Sequence, residues 1–501
     1  MSPYLIIALI AVYFGVLLLV AHFTSRGADN DSFFTGNKKS PWYLVAFGMI
    51  GASLSGVTFI SIPGSVGNPD NQFSYMQVVF GYLIGYIIVA YVLMPIYYRM
   101  NLTSIYSYLQ ERFGFYSHKT GAIFFLGSRL LGASIRLLLV ANVLQLFLFD
   151  GLNVPFEVTV FLSIALIWVY TNKGGIKTII WTDTLQTFFM IAAVLVMCYV
   201  IIGELDLREE GVISTIKNSP YSRIFFFDDW FEKNYFWKHF LGGIFIAIGM
   251  TGLDQDMMQK NLSCKNIKDA QKNMMSFAVV LVFVNLIFLA LGALLYIYAG
   301  KTGIGAGVSG DDLFATIAMN PKTGLFIGVL FLIGLIAAAY SSADSALTAL
   351  TTSFSHDIFN FDKKSPAEQL KLRKNVHVFV SLLLLVIIIV LKYTTTMSAI
   401  GQIMFFAGFT YGPLIAMFFF GILSKRSLND KLVPVMCLVA VGLTIVLWYF
   451  SAGGPGAVGT IENPTGVFGQ YKIGFELIIL NSLLTYASLF LISKKKVEAL
   501  N

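Results

Sequence analysis

The sequence predicts an all-α polytopic membrane protein, and three observations carry that prediction. Hydrophobic residues fill 57% of the 501 positions and charged residues only 12%, with a mean hydropathy of +0.75. A soluble chain carries about a quarter charged residues, because its surface must meet water. The apolar surface here must face lipid, and the same composition excludes disorder. The hydrophobic residues also fall in long unbroken runs, unlike the ~10-residue alternation of a membrane β-strand. Finally, the basic residues collect on alternate connections between the runs, as the positive-inside rule requires.

A spanning helix needs ~20 mostly apolar residues. Thirteen stretches approach that length, at 3–23, 42–66, 73–98, 119–149, 156–171, 178–203, 239–259, 274–299, 324–352, 376–393, 398–423, 432–450 and 474–493. The first lacks a basic leader and a small-residue cleavage pattern, so it reads as a retained span. Its first cation, Arg26, follows it. With the N terminus outside, inner segments hold 23 of the 34 Lys and Arg, outer segments nine, and two lie within a span. Inner examples are Lys38 and Lys39, the run Lys260, Lys265, Lys268 and Lys272, the segment Lys363 to Lys374, Lys425 and Arg426, and Lys494 to Lys496. The expectation is a bacterial inner-membrane protein with its C terminus inside. The net charge of +7 is then an orientation signal; no basic stripe with interleaved aromatics points to nucleic acid. Cys198, Cys264 and Cys437 have no disulfide or metal spacing.

Two stretches carry helix-weakening clusters in mid-span. The second holds Gly48, Gly51, Ser53, Ser55, Gly56 and Pro63; the seventh holds Gly242, Gly243, Gly249 and Gly252. Interrupted helices at matching places in two halves mark an inverted-repeat transporter; ordinary close helix packing explains the glycines equally well. The second stretch opens a five-helix block over 42–203 and the seventh opens another over 239–423. An odd number of helices inverts the second block against the first. The remaining parts are a leading helix and loop, 1–41, an outer loop, 204–238, and two trailing helices with a short tail, 424–501. Thr103 to Phe113 reads as a short amphipathic helix at the inner interface.

Polar residues inside the spans are candidates for function. Spacings of three and four put Ala338, Ser341, Ser342 and Ser345 on one face of the ninth stretch, with Asp344 beside it. Hydroxyls and a carboxylate are hard oxygen ligands suited to an alkali cation. Asp183 is a second acid within a span, read equally well as an N-terminal acid favoured by the helix dipole. Arg129 and Arg136 lie seven apart on one helix face and need acids, carbonyls or an anionic solute. Phe73 and Gln77, one turn apart, offer an apolar face and an amide, as a polyol or sugar requires; aromatic-belt packing explains them equally well. No nucleophile–base or metal set points to an enzyme.

The motifs SLSGVTFISIP at 53–63, TSIYSYLQERFG at 103–114, GGIKTIIWTDTLQ at 174–186, DQDMMQ at 254–259 and AAAYSSADS at 337–345 together resemble the sodium:solute symporter family, which includes sodium/glucose, proline and sialic acid symporters. The pattern looks most like the sialic acid branch. The resemblance covers about 1–495 and implies a LeuT-type core of two inverted five-helix repeats. It implies a sodium site formed by the carbonyls of Gly51, Leu54 and Ala338 and the hydroxyls of Ser341 and Ser342. A second sodium site, implied by some members, maps to Asp183, Ser341, Asp344 and Ser345; two carboxylates there would also suit a shared proton. The implied solute pocket maps to Ser53, Ser55, Thr58, Phe73, Gln77 and an arginine, Arg129 or Arg136. Ala247 replaces an asparagine that sialic acid symporters carry, which leaves the substrate as a sugar, a sugar acid or another small carboxylate. The expected activity is sodium-coupled import of a small organic solute by alternating access, with one or two Na+, by a monomer in lipid. The alternatives are proton coupling on the same fold and a transporter-like sensor.

Overall fold

A helix forms at each of the thirteen apolar stretches in the computed structural model, which describes residues 3–26, 30–394, 399–459 and 464–495. Residue 398 and Lys496, both included in the expectations above, lie outside the described residues. We number the helices α1 (Pro3–Thr24), α2 (Trp42–Ser65), α3 (Tyr75–Arg99), α4 (Phe115–Leu152), α5 (Phe156–Thr171) and α6 (Gly175–Glu204). Then follow α7 (Phe236–Gly252 and Gln255–Leu262), α8 (Ile267–Thr302), α9 (Leu325–Ile358), α10 (Pro366–Thr394), α11 (Ala399–Leu423), α12 (Asp430–Tyr449) and α13 (Leu477–Leu491). Among the described residues ten are long and apolar enough to cross a membrane; α7 is an eleventh candidate bent by 63°, and α5 and α13 are shorter.

The two predicted weak points and a third, at Gly175, differ in how they yield. In α2 the backbone leaves helical geometry at Ser55 (φ 50°, ψ 172°), within the predicted glycine and serine cluster. In α7 the helix loosens over Ile248–Gly252 and restarts at Gln255. A further break at Gly175 (φ 49°, ψ −137°) separates α5 from α6. Lipid offers no partners for the backbone groups a break releases, so protein must supply them. At the α7 break the hydroxyls of Tyr97 and Tyr106 donate to the carbonyls of Gly252 and Leu253, each at 2.9 Å. Asp254 caps the second half, its Oδ1 accepting from the Asp256 N–H at 2.9 Å.

The interrupted helices sit at the centre. The α2 helix packs against α6, α8 and α9, and α3 packs along α7. Small residues permit that approach. A Cβ at Gly81 would lie 2.1 Å from the Phe240 carbonyl oxygen, and one at Gly243 would lie 2.3 Å from the Val78 carbonyl oxygen.

Two expectations are corrected. The amphipathic helix over Thr103–Phe113 shrinks to Ser107–Arg112, because the residues before it are drawn inward. Ser104 donates to Asp357 Oδ2 at 2.8 Å and the Ile105 N–H donates to Gln255 Oε1 at 3.0 Å. Asp357 also accepts from Ser353 at 2.6 Å and pairs with His118 at 2.9 Å. Lys260, assigned to an inner loop, instead ends α7 at 1% exposure; the helix carries it into the protein, where acids receive it.

The α3–α7 contact yields a packing prediction. Gly243→Val must push two backbones apart and is expected to destabilise by ~1–3 kcal/mol, the usual cost of overpacking. Gly132→Ala, with nothing within 4 Å of the added Cβ, is expected to leave the melting midpoint of the purified protein unchanged or raised.

Candidate solute and cation sites

The breaks in α2 and α7 open onto one cavity of about 70 Å3. Ser53, Ser55 and Thr58 line it from α2, Tyr75, Tyr82 and Tyr86 from α3, Arg129 and Arg136 from α4, Thr251 from α7 and Asn285 from α8. A wider vestibule of about 520 Å3 opens on one face, bounded by the 68–74 loop, the 232–234 segment, Trp448 and Phe475. Tyr75, Ile400 and Met404 line both spaces and form the partition between them.

The two arginines are now distinguished. Arg129 forms an ion pair with Asp256 and lies 3.9 Å from Asp254. Arg136, 7% exposed, has no partner for its Nε or Nη1, and no acid within salt-bridge distance among the described residues. A buried guanidinium left without an anion is costly. Asn285 resembles it: its Nδ2 donates to the Leu281 carbonyl at 2.8 Å, while its buried Oδ1 has no partner. The cavity thus presents free donors and a free acceptor.

Phe73 and Gln77 are placed elsewhere. Both are buried but line neither the cavity nor the vestibule. Gln77 stitches α3 to the loop before α7, donating to the Asn234 carbonyl at 2.9 Å and accepting from the Phe226 N–H at 3.1 Å.

The serine face of α9 meets two different neighbours. Ser342 turns toward the broken helix and donates to the Ala52 carbonyl at 3.2 Å. Gly51 and Leu54 flank that carbonyl on α2, and Ala338 lies one turn before Ser342 on α9; all three are buried. At Gly51 the Thr187 hydroxyl accepts the backbone N–H at 3.1 Å, and a Cβ would stand 2.2 Å from that hydroxyl oxygen, so only glycine fits. Ser341 turns the other way and donates to Asp183 Oδ1 at 2.7 Å. Ser345 lies 3.4 Å from Asp183 Oδ2 and 3.3 Å from Asp344 Oδ1, between the two carboxylates. Tyr170 donates to Asp344 Oδ2 at 2.9 Å.

Lys260 joins the two regions. Its Nζ lies 2.7 Å from Asp183 Oδ2 and 3.8 Å from Asp256 Oδ1. A string of buried groups therefore runs from Tyr411 through Asp254, Arg129, Asp256 and Lys260 to Asp183. Acids and bases alternate along most of it, which is how charge survives in low dielectric. Lys260, Asn285 and the cavity tyrosines were not anticipated. An aspartate four residues before a lysine in DQDMMQK was the one available signal, an i,i+4 pair.

Residues 33–431 match the profile of the sodium:solute symporter family. The chain belongs to that family. It is 26% identical over 461 residues to a sodium/sialic acid symporter, NanT, of Aliivibrio fischeri, covering 89% of this chain and 87% of that one. It is 25% identical over 432 residues to the sodium-coupled monocarboxylate transporter 2 of Bos taurus, covering 83% and 67%. The fold matches that of a substrate-bound, outward-open Na+-coupled sialic acid symporter with a TM-score of 0.80, at 21% identity, over 98% of this chain and 99% of that one. The symporter thus has the LeuT-type fold, and it is a multi-pass membrane transporter coupling solute movement to sodium, not an enzyme.

The Arg129–Asp256 pair is open to test. Arg129→Met alone strands buried carboxylates, and the loss expected is ~3–5 kcal/mol. The double variant Arg129→Met/Asp256→Met is expected to recover most of that in thermal melts.

Proposed function

We propose that the symporter imports a small organic carboxylate, a sugar acid or a smaller acid, across a bacterial inner membrane, with its N terminus outside and C terminus inside. The unpartnered guanidinium of Arg136 in the central cavity carries this reading. Arg129 is engaged by Asp256, so Arg136 is the cation free to receive a solute anion. Ser53, Ser55 and Thr58 supply hydroxyls beside it, and the Asn285 acceptor suits a hydroxyl or N–H on the same solute. The relatives named for sialic acid and monocarboxylates also carry acids. Phe73 and Gln77, which the family resemblance placed at the solute, line neither the cavity nor the vestibule in this conformation.

The first sodium binds where α9 meets the α2 break. Its ligands are the carbonyls of Gly51, Leu54 and Ala338 and the hydroxyls of Ser342 and Ser341. A second cation site lies at Asp183, Ser341, Asp344 and Ser345. Sodium at the first site ties α9 to α2 and stabilises the state open to the vestibule, where the solute enters past Tyr75, Ile400 and Met404. Closure of that partition and opening of the opposite side release both. Membrane potential contributes ~2.3 kcal/mol per charge per 100 mV to the uphill step. The protein works as a monomer within lipid.

The test is a melting series on the purified protein with carboxylates, neutral sugars and polyols, each in sodium and in potassium. A ligand of the folded state raises the midpoint by mass action. An acid is expected to raise it in sodium only, and a shift for neutral solutes alone would refute the carboxylate assignment. Arg136→Gln is expected to abolish the solute shift while keeping the sodium shift. Ser342→Ala is expected to weaken sodium at least tenfold, about 1.4 kcal/mol, and to reduce uptake by proteoliposomes in parallel; an unchanged sodium response would remove Ser342 from the site.

A further inference from the structure

We infer that the second cation site is partitioned between its two carboxylates: Lys260 is a built-in cation that satisfies Asp183, and Asp344 supplies the charge that holds the transported ion. The inference rests on the proposed second site and goes beyond it, since that proposal treats Asp183 and Asp344 alike and gives Lys260 no part.

Three observations lead here. Asp183, Asp344 and Lys260 are at most 1% exposed, so each charge needs a partner inside the protein. The Lys260 ammonium stands 2.7 Å from Asp183 Oδ2, and Ser341 donates to the other oxygen. An ion seated on Asp183 would then stand against an ammonium in low dielectric, an arrangement that repels it. Asp344 differs. It lies within electrostatic reach of Asp183 and Lys260, but no basic side chain is within salt-bridge distance of it among the described residues. Its contacts are two hydroxyls, Tyr170 and Ser345.

The neutral groups around Asp344 point the same way. Gln186, one turn along α6 from Asp183, is fully buried with only the Tyr13 and Tyr170 hydroxyls beside its amide, and neither its Oε1 nor its Nε2 makes a hydrogen bond of good geometry. Thr348, one turn along α9 from Asp344, is likewise buried with its hydroxyl unpartnered. A buried polar atom without a partner costs roughly 1–3 kcal/mol. An ion held by one carboxylate, hydroxyls and an amide oxygen has the hard-oxygen environment that alkali and alkaline-earth cations prefer. One lysine and one monovalent ion then balance the two carboxylates.

The partition is tested by counting sodium directly. Sodium binding to the purified protein is followed by thermal midpoint, and the sodium-to-solute ratio is measured in proteoliposomes. Wild type is expected to bind two sodium ions, with a Hill slope rising toward two. Asp344→Asn is expected to bind one. Lys260→Gln/Asp344→Asn, which removes one charge of each sign, is expected to regain the second ion by releasing Asp183 to hold it. Lys260→Arg, which keeps the cation, is expected to behave as wild type and guards against misreading a folding defect. Two ions retained in Asp344→Asn, or one in the double variant, overturn the partition while leaving the second site standing. A wild type that binds one sodium, with Asp344 taking up a proton, removes the second sodium site and this inference with it. Sodium coupling at the first site survives that result.

Discussion

A helix broken inside a membrane leaves carbonyls and N–H groups that lipid cannot satisfy, and each such group costs several kcal/mol. That constraint organises the centre of this symporter. At the α7 break, Tyr97 and Tyr106 reach the stranded carbonyls and Asp254 caps the restarting helix. At the α2 break, Ser342 of α9 takes the Ala52 carbonyl. The residues that repair the breaks come from other helices, so the polar midplane and the packing of the two repeats are one construction. The repair is partial, and the proposed cation and solute sites lie where it stops: Arg136, Asn285 and Thr348 keep buried polar atoms without a hydrogen bond.

The charged groups show the same logic at higher energy. Arg129 and Lys260 are each held by acids, and those acids lie on helices from both repeats. Arg129 lines the solute cavity, while Lys260 touches the carboxylate between α6 and α9. Asp256 faces both cations, at 3.8 Å from Lys260 and in direct contact with Arg129. A change in the charge at Asp344, within electrostatic reach of Lys260, would alter how Lys260 divides its attraction between Asp183 and Asp256, and Asp256 in turn orients Arg129 beside the proposed solute site. This is a contiguous physical route between cation and solute, and a shift of 1–3 kcal/mol along it is the usual size of a coupling free energy.

Much of this was legible in the sequence, for reasons that differ by residue. Composition and run length fix the spans, because lipid imposes one length and one polarity on every helix. The glycine and serine clusters located both breaks to within a few residues, since local backbone preference decides where a helix yields; which residue of the α2 cluster takes the positive φ, Ser55, belongs to packing. Asp183 and Asp344 stood out as acids in apolar runs. Lys260 did not. A lysine near a helix end reads as an inner-loop charge unless its partner is known, and that partner lies on α6, brought near only by the fold. Gln77 shows the opposite case: a polar residue within a span invites a functional reading, while in this structure the loop before α7 takes up its amide. Arg129 and Arg136 share a helix face, so only the position of Asp256 tells them apart.

The partition between vestibule and cavity shows why the whole molecule must move. Its three side chains come from different repeats, Tyr75 from the start of α3 and Ile400 and Met404 from α11. A partition built within one repeat would travel with it as a rigid body and open only by side-chain rotation. Built across the two, it opens whenever one repeat tilts against the other, and the same tilt changes the distance between α2 and α9. The Ser342 contact with Ala52 lies on that second seam. In the proposed mechanism an ion bound there acts on the partition without touching it, by favouring the tilt at which both helices supply its oxygens. Access for the solute and affinity for sodium are therefore two readings of a single rigid-body coordinate, as symport requires.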